Sequence, residues 1–73
     1  MRDLTHTEMV KLEELIDATS VRDVLEAISM ICIDKSTHIR DSYSDFLLAE
    51  KWDKAGIAVR KVAVNQWVRE VSP

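Results

Sequence analysis

The stretch VRDVLEAISMICIDKSTHIRDSY, running from Val21 to Tyr43, decides the fold. Val21, Leu25, Ile28, Cys32 and Ile39 recur in it at intervals of three, four and seven. That spacing brings side chains onto one face of an α-helix. No Gly or Pro interrupts the run. The pattern predicts one long amphipathic helix whose apolar stripe needs a cover. Lys35 falls within that stripe and is the one residue there of the wrong character.

Upstream, Thr5 followed by Glu8 has the form of a capping box, which starts a helix by satisfying two free backbone amides. The helix that follows is expected over 6–17, with Met9, Leu12, Leu15 and Ile16 at helical spacing. A segment so short is unstable alone and must lie on something else. Asp17-Ala18-Thr19-Ser20 breaks it, and Ser20 with Asp23 restarts the chain, so the central helix is expected over 20–42.

Downstream, Asp41-Ser42-Tyr43-Ser44-Asp45 is polar, and Ser42 or Ser44 can cap a new helix. A turn is expected there; a single helix bent at 42–44 is the competing reading. The last helix is expected over 45–71, closed by Ser72-Pro73. In it Ala49, Gly56 and Ala63 are seven apart, as are Trp52 and Val59. Gly costs about 1 kcal/mol in a helix interior relative to Ala, so Gly56 implies a close neighbour. An antiparallel hairpin turning near Ser44 sets Cys32 opposite Gly56, Ile39 opposite Ala49, Leu25 opposite Ala63 and Val21 opposite Trp67. Large then meets small along most of the seam. Lys35 falls near Asp53 in this register, and the two are expected to form a buried polar pair.

Composition narrows the function classes. Seventy-three residues make one domain, and a chain this short buries only ~60% of its unfolded surface. Small domains usually add a disulfide, a metal or a partner. Cys32 is the only cysteine, which excludes an internal disulfide and fits a reducing cytosol. The apolar fraction of 47% is that of a globular chain rather than a disordered one. A net charge of −3 lacks the basic footprint of a general nucleic-acid binder. No leader-like apolar segment opens the chain, and no apolar run reaches the ~20 residues of a membrane span. A cytoplasmic protein is the expectation.

Chemistry-bearing residues are few. Lys35 as a desolvated base lacks a second catalytic group beside it, so a packed stem with a paired head is the simpler account. Cys32 on the apolar stripe reads as a small core residue. Asp34, His38 and Asp41 follow one another at four- and three-residue steps, but without a cysteine pair or second histidine they read as a surface ion pair. Arg60, Lys61, Arg69 and Trp67 make the last helix its most basic part, diluted by Glu50, Asp53 and Glu70. No catalytic residue, cofactor or metal is therefore assigned. The stronger signal is apolar residues lying off the seam: Met30 and Ile33 on the central helix, Ile57, Val64 and Val68 on the last. Together they form the expected interaction surface.

The run Val21-Arg22-Asp23-Val24-Leu25-Glu26-Ala27-Ile28, then Ile31-Cys32, Lys35, His38 and Ile39, resembles a stretch of short all-helical cyanobacterial proteins of unknown function. In those a similar LRDVLEA…IC…K…HI segment precedes a helix carrying Leu-Ala-x-x-Trp, matched here by Leu48-Ala49-Glu50-Lys51-Trp52. The likeness covers about half the chain and departs at Tyr43-Ser44. It implies a cytoplasmic helical module, and no functional residue carries over from it.

The expectation is therefore an all-α chain: a short first helix and a long antiparallel helical hairpin, with dimerisation completing a four-helix core. Its expected role is non-catalytic protein–protein interaction, as adaptor, regulator or inhibitor of a larger assembly, with a homodimer as the form and an unknown protein as partner. The alternative is a nucleic-acid-associated regulator using the last helix. No membrane is expected as a partner.

Overall fold

The computed structural model describes residues 2–71, which form four helices in the order α1 (His6–Ala18), α2 (Val21–Tyr43), α3 (Phe46–Ala63) and α4 (Gln66–Glu70). Ser72 and Pro73, expected to close the last helix, lie outside the described residues.

Local chemistry sets each boundary. The Glu8 amide donates to Thr5 Oγ1 at 3.2 Å, and the Thr5 amide donates to Glu8 Oε1 at 2.9 Å, closing the capping box. Ser20 caps α2 by accepting from the Asp23 amide at 3.0 Å. Ser44 ends α2 in the left-handed region, at φ 52° and ψ 28°. Asp45 then starts α3 by accepting from the Leu48 amide at 3.1 Å. Two residues thus reverse the chain, and a turn, not a bend in one helix, separates α2 from α3.

The expected helix over 45–71 is two helices. Asn65 breaks it: its side chain accepts from the Trp67 amide at 2.9 Å and its own amide donates to the Val62 carbonyl at 3.0 Å. Asn competes well for backbone partners, and the β-branched Val62 and Val64 beside it favour helix weakly.

α2 and α3 pack along their lengths. The ion pair of Arg40 with Asp53, the bond of Ser29 to Gly56 and the approach of Lys35 to Trp52 run in opposite chain directions, so the pair is antiparallel. Cys32 does face Gly56. A methyl placed on Gly56 would lie 3.3 Å from Cys32 Cβ and 3.1 Å from both the Ser29 carbonyl oxygen and Ile33 Cγ1.

The rest of the seam is smaller than expected. The buried residues of α2 are Ser29, Cys32 and Ser36, and those of α3 are Ala49, Gly56 and Ala63. Small meets small, and the backbones approach closely. Ile28, placed in the stripe by its hydrophobicity, is 38% exposed. Trp67, expected opposite Val21, sits on α4 and is 71% exposed.

This seam leaves the core thin. Ser36 is the largest fully buried side chain among the described residues. The radius of gyration is 14.1 Å, against roughly 11 Å for a compact domain of this length. The accessible surface is 5944 Å², roughly 1300 Å² more than a folded chain of this mass ordinarily exposes.

Candidate interaction surface

The hairpin has two flanks, separated by the Ser29–Cys32–Ser36 seam. On one, Glu26, Met30 and Ile33 of α2 meet Arg60 of α3 around a cleft of about 170 Å³. Arg40 belongs to the same flank, where its guanidinium donates to Asp53 Oδ2 at 3.0 Å. On the other, Lys35 Nζ stands 5.7 Å from the centroid of the Trp52 ring, a cation–π arrangement.

The expected buried pair of Lys35 and Asp53 is therefore corrected. Lys35 is exposed and faces Trp52, and Asp53 is half-buried and bound to Arg40. Lys35 and Arg40 are five residues apart, about 140° round the helix, and so flank the seam on opposite sides. Once Ser29, Cys32 and Ser36 occupy the seam, Asp53 lies within reach of Arg40.

The Asp53 carboxyl is held below its ordinary range, first by the Ser36 hydroxyl and then by the Arg40 guanidinium. Ser36 is fully buried and its Oγ makes no bond of hydrogen-bonding geometry. Ser29, two turns away on the seam, is bonded by contrast: its hydroxyl donates to the Gly56 carbonyl at 2.7 Å.

The apolar residues singled out from the sequence divide between elements. Met30 (66%), Ile33 (41%) and Ile57 (53%) are exposed on the two long helices. Val64 is exposed but caps the end of α3, and Val68 is half-buried on α4. The break at Asn65 separates these last two from the helix face to which spacing assigned them.

Helix α1 packs on α2 and on no other helix. It meets Val24, Ala27, Ile28 and Ile31 across a groove of about 290 Å³ that Leu12 and Leu15 line from its own side. α1 has no buried residue, and Met9 and Leu15 remain more than half exposed. The start of α3 adds Phe46, Leu47 and Leu48 to the exposed apolar surface. Sequence reasoning missed these three and Ile31, although the run Phe46-Leu47-Leu48 is itself a signal. Three consecutive positions point around most of a helix, and one seam can cover only part of them.

Among the described residues, no group of three His, Cys, Asp or Glu side chains lies close enough to hold a metal ion. Among the described residues Asp34, His38 and Asp41 form no ion pair; the His38 ring instead meets Tyr43 edge-on at 5.8 Å. Arg60 and Lys61 lie in the last turn of α3 and Arg69 on α4, so the basic residues are split between two helices. No described helix is long and apolar enough to cross a membrane. Comparison of the chain with known protein families, with curated proteins and with solved structures finds no match in any of the three.

Proposed function

We propose that the chain is a non-catalytic protein–protein interaction module of the cytoplasm, working as a homodimer in which two α2–α3 hairpins complete a four-helix core. One observation carries this reading: the hairpin buries its small residues and leaves its large apolar ones outside. Cys32, Ala49 and Ala63 are its buried hydrophobic residues, while Met30, Ile31, Phe46, Leu47, Ile57 and Trp67 are all more than half exposed. Burial of apolar area contributes about 25 cal/mol per Å², so a core of this kind supplies little stability and its outer faces hold most of what remains. Large apolar residues exposed in this number on a small chain mark an interface. The lone Cys32, buried and unpaired, suits a reducing compartment. In this reading the module is an adaptor, regulator or inhibitor of a larger assembly.

Sedimentation of the purified chain across the micromolar range tests the proposal. Self-association, or capture of a defined protein partner with loss of apolar dye binding, is the expected result. A chain that stays monomeric, binds no protein and keeps its full helix content on dilution contradicts it.

A further inference from the structure

We infer that the occupant of the Met30–Ile33–Ile57 face is a second copy of this chain, docked about a two-fold axis parallel to the hairpin. The inference rests on the interaction-module reading and specifies which face associates and how.

The charges around that face carry it. Glu26, Ile33 and Arg40 are spaced by seven along α2 and share a face. Asp53, Ile57 and Arg60 are spaced by four and three along α3 and share another. Because the helices are antiparallel, Glu26 stands beside Arg60 at one end, where both line one cleft. Arg40 stands beside Asp53 at the other. The face is thus an apolar centre with charges of alternating sign at its four corners.

A two-fold axis parallel to the hairpin lays α2 of one copy over α3 of the other. It sets Glu26 opposite the second copy's Arg60, and Arg60 opposite the second copy's Glu26. Met30 and Ile33 meet Ile57. This isologous contact matches each corner with its opposite charge. Among the described residues neither Glu26 nor Arg60 makes an ion pair within its own chain, whereas Arg40 and Asp53 are already joined at 3.0 Å. The parallel axis therefore pairs the two charges that have no partner. α1 leaves this face open, since it sits over Val24, Ala27, Ile28 and Ile31 on the far side of the seam.

Charge reversal tests this in a way that separates contacts between chains from contacts within one. Glu26→Arg and Arg60→Glu are made singly, and dimerisation is followed by sedimentation at low salt. Each variant alone places like charges opposite each other twice, and its dimer is expected to weaken roughly tenfold or more. An equimolar mixture restores both attractions in the mixed dimer, although within each chain the like charges remain. Recovery of near wild-type affinity in the mixture, with a preference for the mixed dimer, is the expected result. Wild-type dimers indifferent to both reversals, or a mixture no tighter than its components, overturn this face and axis while leaving self-association in place. A wild-type chain monomeric up to near-millimolar concentration overturns this inference; binding to a different protein would then still support the interaction module. Met30→Glu is a control for the apolar centre: Met30 is 66% exposed, so the change makes no clash within one chain, and loss of the dimer, with the helix content that association sustains, is expected.

Discussion

The Ser29 hydroxyl donates to the Gly56 carbonyl oxygen at 2.7 Å, across the seam of the two long helices. The two residues are 27 apart in sequence and fix each other's position. The bond exists because neither side of the seam carries a large residue there. Substitutions at either residue therefore test how the hairpin holds its register.

Gly56→Ala sets helix propensity against packing. An exposed helical Gly gains about 1 kcal/mol on replacement by Ala. Here the new methyl meets backbone, the Ser29 carbonyl oxygen at 3.1 Å, as well as Ile33 and Cys32. Overpacking of this kind costs about 1–3 kcal/mol, so net destabilisation of about 1 kcal/mol is expected. Chemical denaturation measures it, and a stabilised Gly56→Ala variant contradicts the close approach.

The two seam serines are expected to respond unequally. Ser29→Ala loses a buried hydrogen bond and costs about 1 kcal/mol. Ser36→Ala removes a buried hydroxyl that makes no bond of hydrogen-bonding geometry; relief of that burial offsets the lost support for the Asp53 carboxylate, and a change within about 0.5 kcal/mol of neutral is expected. It also lets the Asp53 carboxyl rise towards its ordinary range, because the Ser36 hydroxyl is the first cause of its depression. Paired denaturation curves and a carboxyl titration by nuclear magnetic resonance check both effects.

Most of the hairpin was legible in the sequence, and its errors share one cause. The caps at Thr5 and Ser20, the turn near Ser44 and the Cys32–Gly56 register followed from short-range chemistry and the seven-residue spacing of small residues. Reading the α2 stripe by hydrophobicity chose Ile28 over Ser29 and Ser36. Where backbones approach closely, side-chain size decides burial more than polarity does. The choice of Ile28 turned the helix enough to pair Lys35, instead of Arg40, with Asp53. The break at Asn65 was missed because it uses neither Gly nor Pro, and Asn in a solvated helix looks the same as Asn at a cap. The candidate face was found through Met30, Ile33 and Ile57, but its charged corners depend on the antiparallel geometry and were not.

Ser44 is a replaceable point of strain. A residue with a Cβ in the left-handed region costs about 1 kcal/mol, which Gly avoids. Ser44→Gly is expected to stabilise by about 0.5 kcal/mol after the added freedom of the unfolded chain is counted. A thermal shift upward checks it, and a loss of stability contradicts the tight turn.

The first helix is expected to be acid-sensitive. Glu8 is lowered from its ordinary value of 4.5 to about 2, chiefly by the Arg2 guanidinium and then by the Thr5 amide and hydroxyl. Arg2 binds both carboxylate oxygens, at 2.6 and 2.9 Å. A depressed carboxyl stabilises the fold above its unfolded pKa, and that support fades as pH falls from 4.5 towards 2. The group is fully exposed, so salt weakens the effect. Chemical shifts at Glu8 should follow this titration, and Glu8→Gln should abolish it. A Glu8 that titrates near 4.5 contradicts the pairing with Arg2.

On the proposed reading, this hairpin is stable chiefly through what covers its outer faces. Thermal unfolding followed by far-ultraviolet circular dichroism over a wide range of protein concentration tests it most directly. Stability coupled to association makes the midpoint depend on concentration. A midpoint that falls steadily on dilution, with helix content falling alongside it, is the expected result. A midpoint and helix content independent of concentration, at every concentration measured, would contradict it.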